Sequence, residues 1–540
     1  MKKFIAIIIL LLMCSLMPLW AQETDSVRLV DISRMLEGKI ECPAYNPEYI
    51  LIRVARSDAE SERLLSLAWN NPAIKQLWRD YKLSEVSVHY NSRSENHAID
   101  IQHGNKDHTL AFDAKTYMKY KNSTLWGEAF YNNGRIKGVN WNETSEPQVV
   151  QPYLLADSVG GNMNVERYSF MGGWARYNGR LALGASIGYT AGLYYRNVDP
   201  RPRNVTACLD IQAGIGYNVW NSYVLGASLN YRKYKQTNNI AFYSELGSDK
   251  IFHLVGFTND YHRFAGTGIL TYYNGNRLGA TLNFHPATGR GFSASVDASR
   301  LSISNIITQF NKLPMAHVTH GELQVEAAWL SPVEWSGNAW GVKASMLASR
   351  RVGTENIFGD PAAGVYTQIG ALDMYHRNRF TTSLSGTWEK RWGMPWQFIG
   401  LSLHPTLEYS HLNEIYASPA TLRKINEMRY GLRIRLQTKP IGNYSAMVGL
   451  IIEVNNYAPL KSELMLNSED VKPELSALER AMRNTFDYLS SSRTSLLAGL
   501  DATVAIGYNY ALRAQATWQR TSYIMTTHRN ELNVSLGFLF

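Results

Sequence analysis

The last ten residues, 531–540 (ELNVSLGFLF), constrain the fold more than any other stretch of the chain. In an extended strand, successive side chains point to opposite sides. Leu532, Val534, Leu536, Phe538 and Phe540 therefore share one apolar face. Glu531, Asn533, Ser535, Gly537 and Leu539 share the other, mostly polar face. A strand of a soluble sandwich alternates in the same way but rarely closes a sequence on Phe.

The same alternation recurs from residue 81 onward. Leu181, Leu183, Ala185, Ile187 and Tyr189 alternate with Ala182, Gly184, Ser186 and Gly188. The pattern returns in Leu209–Tyr217, Leu225–Tyr231, Met428–Leu436 and Leu512–Trp518. In each run one face is strongly apolar and the other carries Arg, Asp or Gly. Strands of ten or more residues reach across a bilayer when tilted.

Connections are predicted to alternate long and short. Long ones fall at 92–108, 133–164, 197–204, 237–262, 286–320, 353–376, 412–425, 458–493 and 525–528. Short ones fall at Lys121-Asn122, Asn178-Gly179, 219–221, 274–276, 332–337, 393–395, 440–442 and 508–510. Those near 200 and 526 break the rule by being short. This parity puts both termini on one side and gives an all-β, transmembrane antiparallel barrel of about 18 strands, range 14–20. The segment 291–303 alternates weakly and reads as an extra hairpin arm or an inserted loop. A propeller would need a repeat of 40–50 residues, and none is visible.

These features, and the terminal strand above all, resemble single-chain outer-membrane β-barrel proteins of Gram-negative bacteria. The resemblance implies that Leu532, Val534, Leu536, Phe538 and Phe540 form an assembly signal read by the barrel-assembly machinery. The chain is similar to an outer-membrane barrel family of the Bacteroidota type, which implies a location but no substrate. It lacks an amino-terminal plug of the size carried by TonB-dependent transporters, so energised uptake is not expected.

The other end fits an exported protein. Lys2 and Lys3, the apolar run 4–12 and the exit at Ala21-Gln22 read as a signal peptide spanning 1–21. A lipoprotein reading through Cys14 is disfavoured by Met13 before it. Residues 22–80 are expected to form a partly helical periplasmic segment, helical over 60–81 with a break at Asn70-Asn71-Pro72, and 81–540 the barrel. The segment packs near or inside the barrel mouth, or stands as a separate cap. Loss of Lys2 and Lys3 takes the basic residues from 54 to 52, against 45 acidic. That mild excess, with no basic block, points to no nucleic-acid partner. Cys42 and Cys208 remain, and their pairing is open.

No motif announces chemistry. His89, His97, His103 and His108, and the pair His317 and His320, are read as solvated loop histidines, with no metal and no cofactor. His404, Glu408, Ser402 and Ser410 share one face, the one grouping a rim hydrolase could use, but any polar lumen wall has such rows. Arg429, Arg433 and Arg435 lie between strands bearing Glu408 and Glu453, with Asp501 and Arg513 further round. With His404, these are the candidate lumen-lining residues. They either screen solutes by charge or fill the lumen with wall salt bridges. A helix is expected at 468–489, capped by Ser468, with the stripe Leu475, Leu478, Met482 and Phe486 burying itself as a lid or plug. The leading function is a non-enzymatic channel or passive uptake barrel for small solutes, seated in outer-membrane lipid. The alternatives are a surface scaffold, adhesin or complex component, and lastly a rim hydrolase.

Overall fold

The computed structural model describes residues 49–540, apart from 59–63, 65–66, 220–221, 245–249, 262–263, 265–269, 332–336, 363, 395–396, 440–444, 468–471 and 525. The signal-peptide reading, Cys14, Ser468 and any pairing of Cys42 lie outside the described residues. Among the described residues no helix is long and apolar enough to cross a membrane.

Eighteen antiparallel strands close into one barrel. In chain order they are β1 (Leu83–Glu95), β2 (Lys106–Lys119), β3 (Ser123–Val139), β5 (Gly161–Tyr177), β6 (Leu181–Tyr195), β7 (Arg201–Val219) and β8 (Tyr223–Ala241). Next come β11 (Leu270–Pro286), β12 (Gly291–Ile307), β13 (Leu313–Leu330), β14 (Asn338–Phe358), β15 (Gln368–Met394) and β16 (Gln397–Tyr416). The last five are β17 (Thr421–Lys439), β18 (Ala446–Pro459), β20 (Arg493–Ala505), β21 (Ala511–Ser522) and β22 (His528–Leu539). The remaining four strands are short. β4 (Leu154–Ala156), β9 (Phe252–Gly256) and β10 (Asn259–Asp260) form a separate three-stranded sheet, and β19 (Glu463–Met465) extends the edge beside β17. The terminal strand closes the ring: β22 pairs with β1 from Glu85↔Leu539 to Glu95↔Arg529.

The two faces of the wall separate as period-two patterning requires. Val86, Leu110, Ile187, Ile215, Leu229, Leu278, Leu384, Leu432 and Leu536 are exposed on the outside. An apolar exterior of this kind matches the lipid-facing band of outer-membrane barrels. Aromatic side chains border it. Tyr223 stacks on Phe284 at 4.6 Å and Trp340 lies 6.2 Å from Trp388 on the short-turn side. Tyr131 stacks on Tyr168 at 5.2 Å towards the other rim. Such girdles mark the two membrane interfaces of outer-membrane barrels.

Several sequence expectations are corrected. Asn274-Gly275-Asn276 is no turn but the middle of β11, where Tyr273 and Arg277 face inward and the two asparagines face out above the apolar band. The turn lies at 287–290, and the weakly alternating 291–303 is a full barrel strand, β12. Its outward face is built largely from Ala and Ser, so its hydrophobic contrast is low. These two errors cancel, which is why the strand number survives. The long-short parity holds only in part: 308–312 and 417–420 are tight connections, because the flanking strands run on past the apolar band. His317 and His320 lie on β13 rather than in a loop, and an odd spacing sends them to opposite faces. Leu539 joins an interior apolar cluster with Ile50, Met447 and Ala511, although its neighbours on that face are polar.

Candidate functional site

Helix α1 (Ile50–Ser57) lies inside the end of the barrel that carries the short turns. Ile50, Leu51 and Val54 recur at helical spacing and bury against Phe398, Met447, Ala511 and Leu539. The Ile50 amide donates to the Tyr508 carbonyl at 3.1 Å, and Arg53 donates to the Lys82 carbonyl at 2.8 Å. The sequence places a helix over 60–81. In the described part of that stretch Leu64 is helical, and a 3₁₀ turn at Ala68–Asn70 and one helical turn, α2 (Lys75–Trp78), form on either side of Asn71-Pro72.

That bend has a purpose-built seat. Gly184, Gly214 and Gly226 face inward on β6, β7 and β8. A Cβ on Gly214 would sit 2.1 Å from Asn71 Oδ1, and one on Gly184 would sit 2.4 Å from the Pro72 carbonyl carbon. Any larger residue would displace the segment. Gln212 donates to the Asn70 carbonyl at 2.7 Å, the Leu67 amide donates to Glu326 at 3.2 Å, and Trp69 packs edge-on to His285 at 4.5 Å. The described residues of 49–78 thus line the short-turn end of the lumen.

The opposite end is covered by the loop 140–160, by the described residues of 242–264 and by helix α4 (Ser476–Leu489), counting Pro147–Val150 as α3. Trp141, Val150, Tyr153, Phe252 and Leu254 form a fully buried cluster with the inward-facing Tyr273, Ile303, Met315 and Tyr375 of the wall. Arg351 holds the loop by donating to the carbonyls of Gln148 and Gln151 at 2.9 and 3.1 Å. Arg196 reaches Glu143 at 2.7 Å and Asp157 at 3.0 Å, all three buried. Burial and the adjacent Asp157 push the Glu143 carboxyl well above the ordinary range, against the pull of Arg196. Burial also works to raise Asp157, but Glu143, Arg196 and the Gly160 amide hold it below the ordinary range. The two carboxyls are thus pushed in opposite directions. In α4, Leu475 and Leu478 are buried and Met482 packs beside them. Thr485 donates to the Ile99 carbonyl at 2.8 Å, so Thr485 and Tyr488 take the place expected for Phe486.

Between the two coverings the wall of β14–β18 holds a polar chamber of about 310 Å³, lined by Lys343, Ser383, His404, Arg429, Arg433 and Glu453 among others. All eight candidate lumen residues face inward. Ion pairs join Arg429 to Glu408 at 2.7 Å, Arg433 to Glu453 at 3.4 Å and Lys343 to Glu326 at 3.5 Å. Arg435, Arg513 and Asp501 do not belong to this chamber. They gather lower in the barrel on a residue the sequence did not single out, Asp58, just after α1. Arg513 donates to Asp58 at 2.7 Å and Arg435 at 3.1 Å, with Asp501 3.5 Å from Arg435. Burial opposes charge on Asp58, but Arg513 and Arg435 outweigh it and hold its carboxyl below the ordinary range. No sequence signal links positions 455 residues apart.

The rim-hydrolase grouping is not assembled. His404 and Glu408 lie four residues apart on β16, which separates their backbones by about 13 Å. Glu408 is engaged by Arg429, and Ser410 donates to Glu427 at 3.4 Å. Among the described residues no cluster of His, Cys, Asp or Glu has the geometry of a metal site. His89 instead bonds Asp113 at 2.9 Å, and His317 bonds Ser302 at 3.1 Å.

Residues 72–540 match the family of unknown function DUF6850, and the chain belongs to that family. No curated protein matches it in sequence. Among solved structures it is similar to BauA, the ferric preacinetobactin receptor of Acinetobacter baumannii. Identity is 10%, with 86% of this chain and 80% of that chain covered and a TM-score of 0.37. It is also similar to the outer-membrane transporter YddB of Escherichia coli, at 7% identity, with 84% and 80% covered and a TM-score of 0.37.

Proposed function

We propose that this DUF6850 barrel is an outer-membrane conduit for small polar solutes, held shut at rest by its own chain. The reading rests on one observation: the polar chamber beside Arg429, Arg433 and Glu453 lies between the described residues of the seated segment 49–78 at one end and the loop cap at the other. A chamber of about 310 Å³ is at the small end of ligand-sized cavities. Passage through it requires both coverings to move, so the channel or passive uptake barrel expected from sequence becomes a gated one. On this reading the protein is exported by its amino-terminal signal, inserted by the barrel-assembly machinery through 532–540, and surrounded by outer-membrane lipid. It has no catalytic role.

Single-channel recording on the refolded full chain tests it. The expected result is a closed baseline with rare openings, and sustained current once Pro473–Leu489 are removed together with the Asp58 anchor, as Asp58→Asn. If that doubly altered barrel folds, as judged by heat-modifiable gel mobility, and passes no current, the conduit is wrong. The rigid cap would then stand as a scaffold that presents the outer loops.

A further inference from the structure

The outer surface of the barrel carries a feature that transport does not use. Two neighbouring rows of outward-facing residues cross eight strands, β7, β8 and β11–β16. In register, the row nearer the long loops reads Ile211, Tyr231, Leu278, Arg300, Gly321, Arg350 and Asn378. The row nearer the short turns reads Ala213, Leu229, Ala280, Ala298, Leu323, Ala348, Phe380 and His411. Together they line a depression of about 1120 Å³. Its floor is low because Ala213, Ala280, Ala298, Ala348 and Gly321 stand where a lipid-facing wall usually has bulky residues. Leu229 and Leu278, at 70% and 66% exposure, rise beside it.

Its upper lip is cationic. Arg300 and Arg350 flank Gly321 in one register row, two interstrand spacings or about 10 Å apart. A Cβ on Gly321 would meet nothing within 4 Å, so the space between the two guanidinium groups is open. Both arginines are exposed, and neither has a carboxylate partner among the described residues. The surrounding strands are of one sign: the outward positions of β7, β8 and β11–β14 include Arg203, Lys233, Lys235, Arg300 and Arg350, besides Arg201, which pairs with Asp199 of the preceding loop, but no Asp or Glu. A lipid-facing surface that carries uncompensated cations only along its upper edge is complementary to a molecule with apolar chains below and negative charge above.

We infer that this depression binds one acylated lipid with a phosphate-bearing headgroup, its acyl chains over the alanine row and its phosphate between Arg300 and Arg350 above Gly321. The polarity matches the leaflet on the long-loop side, because the phosphate lies towards the long loops and the chains towards the short turns. The site is independent of the lumen and of the gating proposed above.

Native mass spectrometry of the full-length protein in detergent, with bisphosphorylated lipid A and its dephosphorylated form as probes, tests the assignment. The phosphorylated form should be retained at least tenfold better. Arg300→Gln with Arg350→Gln should abolish that preference, and Gly321→Leu should reduce retention by filling the notch. Arg520→Gln, an outward cation elsewhere on the wall, should change nothing. Heat-modifiable gel mobility confirms that each variant folds. Equal retention of the two lipids by the wild-type protein, or unchanged preference in the double variant, overturns the site. So does displacement of the lipid by millimolar inorganic phosphate, which would make the two arginines a simple anion site.

Discussion

Arg513 donates a hydrogen bond to Asp58 at 2.7 Å, joining the last hairpin of the barrel to the segment that precedes its first strand. Arg435 shares the same carboxylate, so removing it leaves two largely buried cations without their central partner. Breaking a buried ion pair from one side costs about 3–5 kcal/mol. Asp58→Asn should therefore release α1 from the lumen while the barrel itself persists. Limited proteolysis around 50–58 should become at least tenfold faster, with no change in the heat-modifiable gel shift.

The same contact sets a pH dependence. Asp58 has a depressed carboxyl, so its contribution is complete above the ordinary carboxylate pKa of about 3.9 and is lost as pH falls through the lower folded-state value. Arg435, Arg513, Asp501 and Glu85 face it from the surrounding strands, and protonation of the two acids at low pH adds to the positive field. Protease access to 50–58 should stay flat from neutral pH to about pH 4 and rise below it. In Asp58→Asn that step should vanish.

Period-two alternation was enough to reveal the barrel, because one buried or lipid-facing side of each strand repeats the same signal. It failed on β12, where Ala294, Ala298, Ser302 and Ser304 soften the outward face, and at Asn274-Gly275-Asn276, where turn-forming residues sit inside a paired strand. The inward direction of Arg429, Arg433 and Glu453 followed from parity alone. Their partners, and above all the role of Asp58, did not. A closed barrel brings together residues hundreds of positions apart, and only register decides which ones meet. Glycines such as Gly214 read as small lumen residues until Asn71 is seen against them.

The buried acid pair of the outer cap gives an asymmetric prediction. Glu143 is the carboxyl pushed up and Asp157 the one held down, with Arg196 on both. Glu143→Gln keeps a neutral donor towards Asp157 and should change unfolding stability by less than about 1 kcal/mol. Asp157→Asn leaves Arg196 without its counter-charge and should cost about 3 kcal/mol or more. Urea titrations of the two variants, followed by Trp141 emission in the cap, separate them; equal effects would contradict this asymmetry.

The wall faces can be tested on one strand. Ile434 is outward on β17, in register with Leu403 and Ile452. Ile434→Arg should destabilise the barrel in a folding titration by about 2–4 kcal/mol near the bilayer midplane. Ser383→Arg, which enters the chamber from β15, should cost less than half as much. Gly431 is unsuitable for this comparison, because its Cβ would lie 2.2 Å from Asn455 Oδ1.

Charge in the chamber is balanced pair by pair, which alters what the arginine ladder does. Arg429 with Glu408, Arg433 with Glu453 and Lys343 with Glu326 each cancel at contact distance, so this wall favours the salt-bridge reading of the arginine row over charge screening. An open barrel should show weak ion selectivity. Removing one partner then exposes the other, over a range of about one Debye length, about 8 Å at physiological salt. Arg433→Gln should shift the reversal potential towards cations, and Glu453→Gln should shift it towards anions by a similar amount. Both measurements belong in the gate-released background, Asp58→Asn without Pro473–Leu489, so that current flows. Arg435→Gln should behave differently from Arg433→Gln, raising open probability in the otherwise intact chain because it frees Asp58. If Arg433→Gln and Glu453→Gln leave the reversal potential unchanged while current still flows, ions pass by another route and the chamber is not the conduit.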